Sequence, residues 1–242
     1  MCNDHPAHGP LPFRRRGMLA AGAAASLVAG NFVQQAQAQT APGAAPNAIT
    51  PDAALKRIMD GNARYVANAP ENKDFSAGRA ARAAAQYPIA GLLSCADSRV
   101  GPELAFDQAP GELFVVRVAG NFVNDDGLAS LEYGVKFLGV PLLMVLGHSG
   151  CGAVAATIQV MKEKAVLPGH LPELVNAIKP GIDLAEKVKA ANPLDEAIAQ
   201  NVRYNVRKLQ EAKPIVAELV ASGKVKVVGA VYDIATGKVT LL

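Results

Sequence analysis

Two cysteine-bearing segments stand well apart in the chain, Ser94-Cys95-Ala96-Asp97-Ser98-Arg99 and His148-Ser149-Gly150-Cys151-Gly152. Two thiols and an imidazole are the donors zinc prefers, and three protein ligands with a fourth position left to water define its catalytic, rather than structural, coordination. Cys95, His148 and Cys151 therefore read as a Cys2His zinc set, one ion per chain. The competing reading is a disulfide between Cys95 and Cys151, which an oxidising compartment would favour. A disulfide has no use for the histidine before Cys151 or for the Asp97 and Arg99 that follow Cys95.

The compartment question arises from the first 38 of the 242 residues. Arg14-Arg15-Arg16-Gly17-Met18-Leu19 precedes an alanine-rich apolar stretch from Ala20 to Val33, and Ala36-Gln37-Ala38 fits an A-x-A cleavage site. That stretch is shorter than the roughly 20 residues a membrane span needs. The arginine pair resembles a twin-arginine signal, with an ordinary Sec signal or an uncleaved membrane anchor as the alternatives, so residues 1–38 are read as a cleavable export signal, 39–49 as a disordered linker and 50–242 as the functional domain, delivered to the periplasm with no stable membrane anchor after cleavage. The twin-arginine route carries folded proteins, which would let zinc engage both thiolates before they meet oxidant.

Cleavage removes three arginines and one aspartate, and the net charge drops from +3 to +1. The remaining Lys and Arg are scattered, without the basic stripe that neutralises phosphates, and nucleic-acid binding is not indicated. Cys2, His5 and His8 leave too, so His170 is the one soft metal donor outside the two motifs. It sits in a Pro168-Gly169-His170 loop and reads as a surface residue. Gly127, Gly134 and Gly139 do not form a phosphate loop.

Short runs rich in branched apolar residues, the mark of strands buried on both faces, occur at 88–95, 112–119, 141–147 and 224–233. Helical patterns separate them. Thr50-Pro51-Asp52 supplies a cap and a proline for a helix reaching about Asn68, with Leu55, Ile58 and Met59 on one face. Leu128, Leu131, Val135 and Leu138 give helical spacing over 125–138, and further helices are expected from Gly152, over 171–189 and over 195–222. The basic, alanine-rich 79–85 reads as a solvated helix, and Ala235-Thr236-Gly237-Lys238 as a turn into an antiparallel strand at 239–242. Alternating strands and helices predict an α/β fold with a mainly parallel central β-sheet flanked by helices. Cys95 then ends the first strand, His148 follows the third and Cys151 opens a helix, all at the carboxyl edge where such sheets bind ligands.

At these residues the chain resembles the β-class carbonic anhydrases, which carry Cys-x-Asp-Ser-Arg and His-x-x-Cys. Gly61-Asn62-Ala63-Arg64-Tyr65, Pro110-Gly111-Glu112-Leu113-Phe114 and Glu132-Tyr133 extend the resemblance along most of the domain. It implies reversible hydration of carbon dioxide to bicarbonate and a proton, with zinc on Cys95, His148 and Cys151 acidifying a water and presenting hydroxide to the substrate. Two thiolates offset the metal's charge, so activity is expected to rise toward alkaline pH. Asp97 would orient the attacking oxygen, with Arg99 holding Asp97 off the metal. Some members close the site with that aspartate and carry a tryptophan shortly before the first cysteine; this chain has no Trp and places Leu92 there, which implies the open type. Open-type members also carry a glutamine nine residues before the first cysteine, and Gln86, so placed, would donate an amide hydrogen to a substrate oxygen; Phe114 and Tyr133 match aromatic positions lining the substrate pocket, often reached from the neighbouring subunit, so a homodimer or multiple of dimers is expected, with plain core packing the alternative for both. Arg117-Val118-Ala119-Gly120-Asn121 departs from the family's Arg-Asn-Ala-Gly-Asn at its second residue. The same scaffold would also suit hydrolysis of carbonyl sulfide or carbon disulfide. A non-catalytic exported zinc or disulfide domain is the third reading.

Overall fold

The strand runs read from the sequence pair into one five-stranded sheet. A computed structural model describes residues 45–71, 74–76 and 78–242, all within the compact unit Thr40–Leu242. The expected export signal at 1–38 and the linker as far as residue 44 lie outside the described residues. In chain order the elements are α1 (Pro51–Val66), α2 (Arg79–Ala84), β1 (Ala90–Ser94), α3 (Pro102–Ala105), β2 (Leu113–Arg117), α4 (Asp125–Phe137), β3 (Leu142–His148), α5 (Gly152–Glu163), α6 (Leu171–Ala185), α7 (Pro193–Gln210), α8 (Ile215–Ala221), β4 (Lys226–Tyr232) and β5 (Val239–Leu241). No helix among the described residues is long and apolar enough to cross a membrane.

The strand order is β2-β1-β3-β4-β5, parallel throughout except for the antiparallel β4–β5 pair. From β1 the chain adds β2 on one side and then crosses to place β3 on the other, so the switch point lies between the carboxyl ends of β1 and β3. An α/β sheet opens a ligand crevice there, because the connecting helices leave in opposite directions. Cys95 and His148 stand at those two strand ends.

The core follows the period of two. Leu92, Leu142, Met144 and Leu146 pack with Ala54 and Ile58 of α1, while Leu93, Leu143 and Val145 pack with Leu131 and Val135 of α4 and with Val202 and Leu209 of α7. Every residue of β1 and β3 is buried, as coverage on both faces requires. Thr50 caps α1 by accepting from the Ala53 N–H at 3.2 Å, with Pro51 at the first turn, as the Thr-Pro-Asp pattern predicts.

Three boundaries differ from expectation, and the four-residue helix α3, too short to show a period, has no counterpart in the sequence reading. The helix α7 begins at Pro193, because Asn192 accepts from the Leu194 and Asp195 N–H groups at 3.1 and 3.4 Å. Its expected continuation to Ser222 stops at Gln210 and resumes as α8 after Pro214, a residue that has no N–H to donate. The helix α6 ends at Ala185 and not Lys189.

Residues 45–49 also correct the expected linker. Asn47 is buried and its Nδ2 donates to the Pro88 and Leu138 carbonyls at 3.0 and 2.7 Å, while Ile49 packs on the α1 side of the core. Asn47→Ala would strand both acceptors, so we expect it to lower unfolding free energy by about 1–3 kcal/mol, read from chemical denaturation.

Candidate metal centre

The two ligand segments meet because β1 and β3 are paired neighbours, with Leu93 opposite Val145 and Ser94 opposite Leu146. Gly150, at a φ of +62°, turns the chain sharply between His148 and Cys151. Cys151 is the N-cap of α5. One ligand atom from each of Cys95, His148 and Cys151 lies within 4.8 Å of the other two, and all three residues are buried. The cysteines are free thiols, which sets aside the disulfide reading for this structure.

The donor set fits zinc in detail. His148 Nδ1 lies 3.0 Å from the Ser149 carbonyl, which fixes its proton there as donor and leaves Nε2 as the free base. That Nε2 is buried and has no hydrogen-bond partner, a costly arrangement for a polar atom and one that a metal ion held with Cys95 and Cys151 would relieve. Cys95 Sγ accepts from the Gly120 N–H at 3.2 Å. Among the protein groups alone, the neighbouring Cys151 thiol lowers the Cys95 pKa, and the Cys95 sulfur together with burial raises that of Cys151. Apolar side chains surround the pair, including Phe122, Val154, Ile178 and Ile198.

Asp97 borders this cluster without belonging to it. Its Oδ2 lies 3.8 Å from His148 Nε2. Arg99 grips the carboxylate twice over, its Nε on Oδ1 at 2.9 Å and its Nη2 on Oδ2 at 2.7 Å, while the Arg99 backbone N–H adds a bond to Oδ1 at 3.0 Å. These bonds hold the Asp97 carboxyl far below the usual carboxylate range. The aspartate is thus ionised and held by the arginine.

The family whose sequence profile matches residues 90–239 is described as carbonic anhydrase. The chain is 41% identical over 197 residues to the carbonic anhydrase of Mycolicibacterium smegmatis, covering 81% of this chain and 95% of that one. It is 35% identical to the Pseudomonas aeruginosa carbonic anhydrase, covering 78% and 87%. It belongs to the carbonic anhydrase family. Among solved structures, the Coccomyxa β-carbonic anhydrase in complex with acetazolamide superposes with a TM-score of 0.62 at 31% identity, covering 78% of this chain and 86% of that one. The β-carbonic anhydrase CcaA does so with a TM-score of 0.59 at 25% identity, covering 77% and 94%. These likenesses place the chain in the β class of that family.

Three residues expected in the substrate pocket of this β-carbonic anhydrase are not gathered at its own metal centre. Gln86 precedes β1, so the whole strand separates it from Cys95; it lines a cavity of about 350 Å³ with Arg57, Tyr87, Pro110 and Glu112. Phe114 and Tyr133 pack on one another at 6.3 Å between ring centroids, and Tyr133 continues to Phe137 at 5.4 Å. Within the chain they are packing residues on β2 and α4. His170 is exposed at the start of α6, as expected of a surface histidine.

One residue matches a family segment whose letters do not disclose its contacts. Arg117, the last residue of β2, donates from Nε to the Cys95 carbonyl at 3.0 Å and from Nη2 to the Asp97 carbonyl at 2.7 Å. It clamps the main chain that carries both the ligand and the aspartate. Its place beside Ser94 in the parallel register puts it in reach, but its targets are backbone atoms that no residue type announces.

Proposed function

We propose that the chain catalyses the reversible hydration of carbon dioxide to bicarbonate and a proton, with Cys95, His148 and Cys151 holding one zinc ion. The observation that carries this reading is the partnerless, buried His148 Nε2, grouped with two buried cysteines and 3.8 Å from an arginine-fixed carboxylate. When bound, zinc acidifies water at the position its three protein ligands leave open and so supplies the nucleophile for the substrate carbon. The protein's own groups do the rest. Asp97 Oδ2 accepts a hydrogen bond from the nucleophile and aims its lone pair, and Arg99 keeps that carboxylate charged and oriented. The apolar lining of Phe122 and Val154 excludes bulk water, suiting a small uncharged substrate.

The functional unit in this proposal is a homodimer or a multiple of dimers. The strand β2 is a sheet edge, and a second copy is the natural cover for it. Gln86, Phe114 and Tyr133 sit on or beside the elements at that edge, and in the assembled enzyme they serve the partner's substrate pocket. Arg15-Arg16, the apolar stretch after them and Ala36-Gln37-Ala38 support delivery of the folded, zinc-loaded protein to the periplasm by the twin-arginine route.

The test is stopped-flow carbon dioxide hydration with zinc determined on the same sample. We expect close to one zinc per chain and turnover that increases toward alkaline pH. Zinc without carbon dioxide turnover would shift the assignment to carbonyl sulfide or carbon disulfide, and a zinc-free protein with oxidised cysteines would end the enzymatic reading.

A further inference from the structure

The loop between β2 and α4 passes over the metal centre and is held there by a helix that contributes no ligand. Gly120 donates its N–H to Cys95 Sγ, and the carbonyl of the same residue accepts from Asn201 Nδ2 of α7 at 2.8 Å. One helical turn on, Asn205 Oδ1 accepts from the Val123 N–H at 2.8 Å, and Lys208 Nζ donates to the Val123 carbonyl at 2.8 Å. Asn205 Nδ2 also donates to the Asn201 carbonyl at 2.8 Å and to Asn201 Oδ1 at 3.2 Å. The last bond settles the orientation of the Asn201 amide, turning its Nδ2 toward Gly120.

These amides occupy places that packing alone would give to apolar residues. Asn201 and Asn205 are 1% and 0% exposed, on a helix whose buried positions are otherwise Ala197, Ile198, Val202 and Leu209. Burying an amide costs stability unless its hydrogen bonds are made, and here they are spent on the loop's main chain. The loop has little freedom to settle elsewhere. Gly120 has a φ of +82°, and a Cβ there would lie 2.4 Å from Ile178 Cδ1.

We propose that Asn201, braced by Asn205, is a positioning residue of the metal centre: it fixes the Gly120 peptide so that its N–H stays on the Cys95 sulfur, and thereby sets how firmly the site retains zinc. A sulfur already oriented, with a donor directed at its charge, loses less freedom when the ion binds. The inference rests on the zinc reading above. The two fail separately, because a parent chain without zinc sinks that reading, whereas a parent that binds zinc as firmly as its variants sinks only this one.

The experiment uses the full chain. The zinc dissociation constant is measured by competition with a chromophoric chelator, and the thiolate-to-metal absorption is recorded after cobalt(II) replacement, for the parent, Asn201→Ala, Lys208→Met and the remote buried control Asn47→Ala. Partners that orient metal ligands typically contribute about 10- to 100-fold in affinity, so Asn201→Ala is expected to weaken zinc by at least about tenfold and to shift the cobalt band. Lys208→Met, at an exposed position, is expected to move both readouts the same way by a smaller factor, and decides the matter if Asn201→Ala does not fold. Asn47→Ala should lower the melting temperature and leave zinc affinity unchanged. Parent-like affinity and cobalt spectra in Lys208→Met and in any folded Asn201→Ala would overturn the proposal, as would an equal loss of zinc in Asn47→Ala.

Discussion

Cys151→Ser is expected to give a folded protein that holds almost no zinc and hydrates carbon dioxide no faster than buffer. The two halves of that result have separate causes. Cys151 is the N-cap of α5, and serine is a better N-cap than cysteine because its oxygen accepts from the free N–H groups of the first turn. The helix and the apolar cluster around Val154 and Ile178 should therefore survive the change. The metal should not. An alcohol stays protonated near neutrality where zinc draws a thiol into its thiolate form, so Cys95 and His148 would remain as two ligands in place of three. The loss should exceed the roughly 10- to 100-fold in affinity seen when only a partner of a ligand is removed. Zinc analysis, a thermal melt and stopped-flow hydration on one preparation read all three quantities. A variant that kept both zinc and turnover would show that the cluster is not the reacting centre.

Much of this arrangement is legible in the chain because its determinants are local. The parallel strands announce themselves as apolar runs, since both faces of β1 and β3 are covered, and the Thr50-Pro51 cap marks where α1 begins. The ligands are legible for a different reason: zinc accepts few residue types, and the chain keeps few of them. What escapes is long-range recognition of the main chain. Arg117, Asn47 and Asn201 all act on backbone carbonyls distant in sequence, and a carbonyl looks the same in every residue. Asn201 and Asn205 did leave a trace, as two amides one turn apart on the stripe of α7 that carries Ile198, Val202 and Leu209. The break at Pro214 is a plainer signal, a proline within an otherwise helical stretch. Gln86, Phe114 and Tyr133 illustrate another gap, because a resemblance names residues without saying whose metal they serve.

Asp97→Asn is expected to separate catalysis from metal binding. Asp97 is outside the ligand cluster, so the variant should retain zinc at the parent's level. Turnover should fall at least about 100-fold, the scale of a proton-directing group lost from a reacting centre. An asparagine amide can accept at only one of the two oxygens that Arg99 now engages, and in either orientation its NH2 would face an arginine donor where an acceptor is needed. The pH profile sharpens the test. Arg99 holds the Asp97 carboxyl far below its usual range, so Asp97 stays ionised above about pH 5 and contributes no inflection from there to alkaline pH. The variant should lower the parent's profile at every pH without moving its midpoint. Arg99→Met should behave differently, since the carboxylate survives but loses the bonds that keep its charge and place. Its pKa would climb back toward about 3.9, and a freed Oδ2, 3.8 Å from a metal ligand in the parent, could swing in to compete for the open coordination position. Inhibition in Arg99→Met that Asp97→Asn relieves in the double variant would identify the arginine as the guard of the open site. Equal, additive losses would assign it to charge alone.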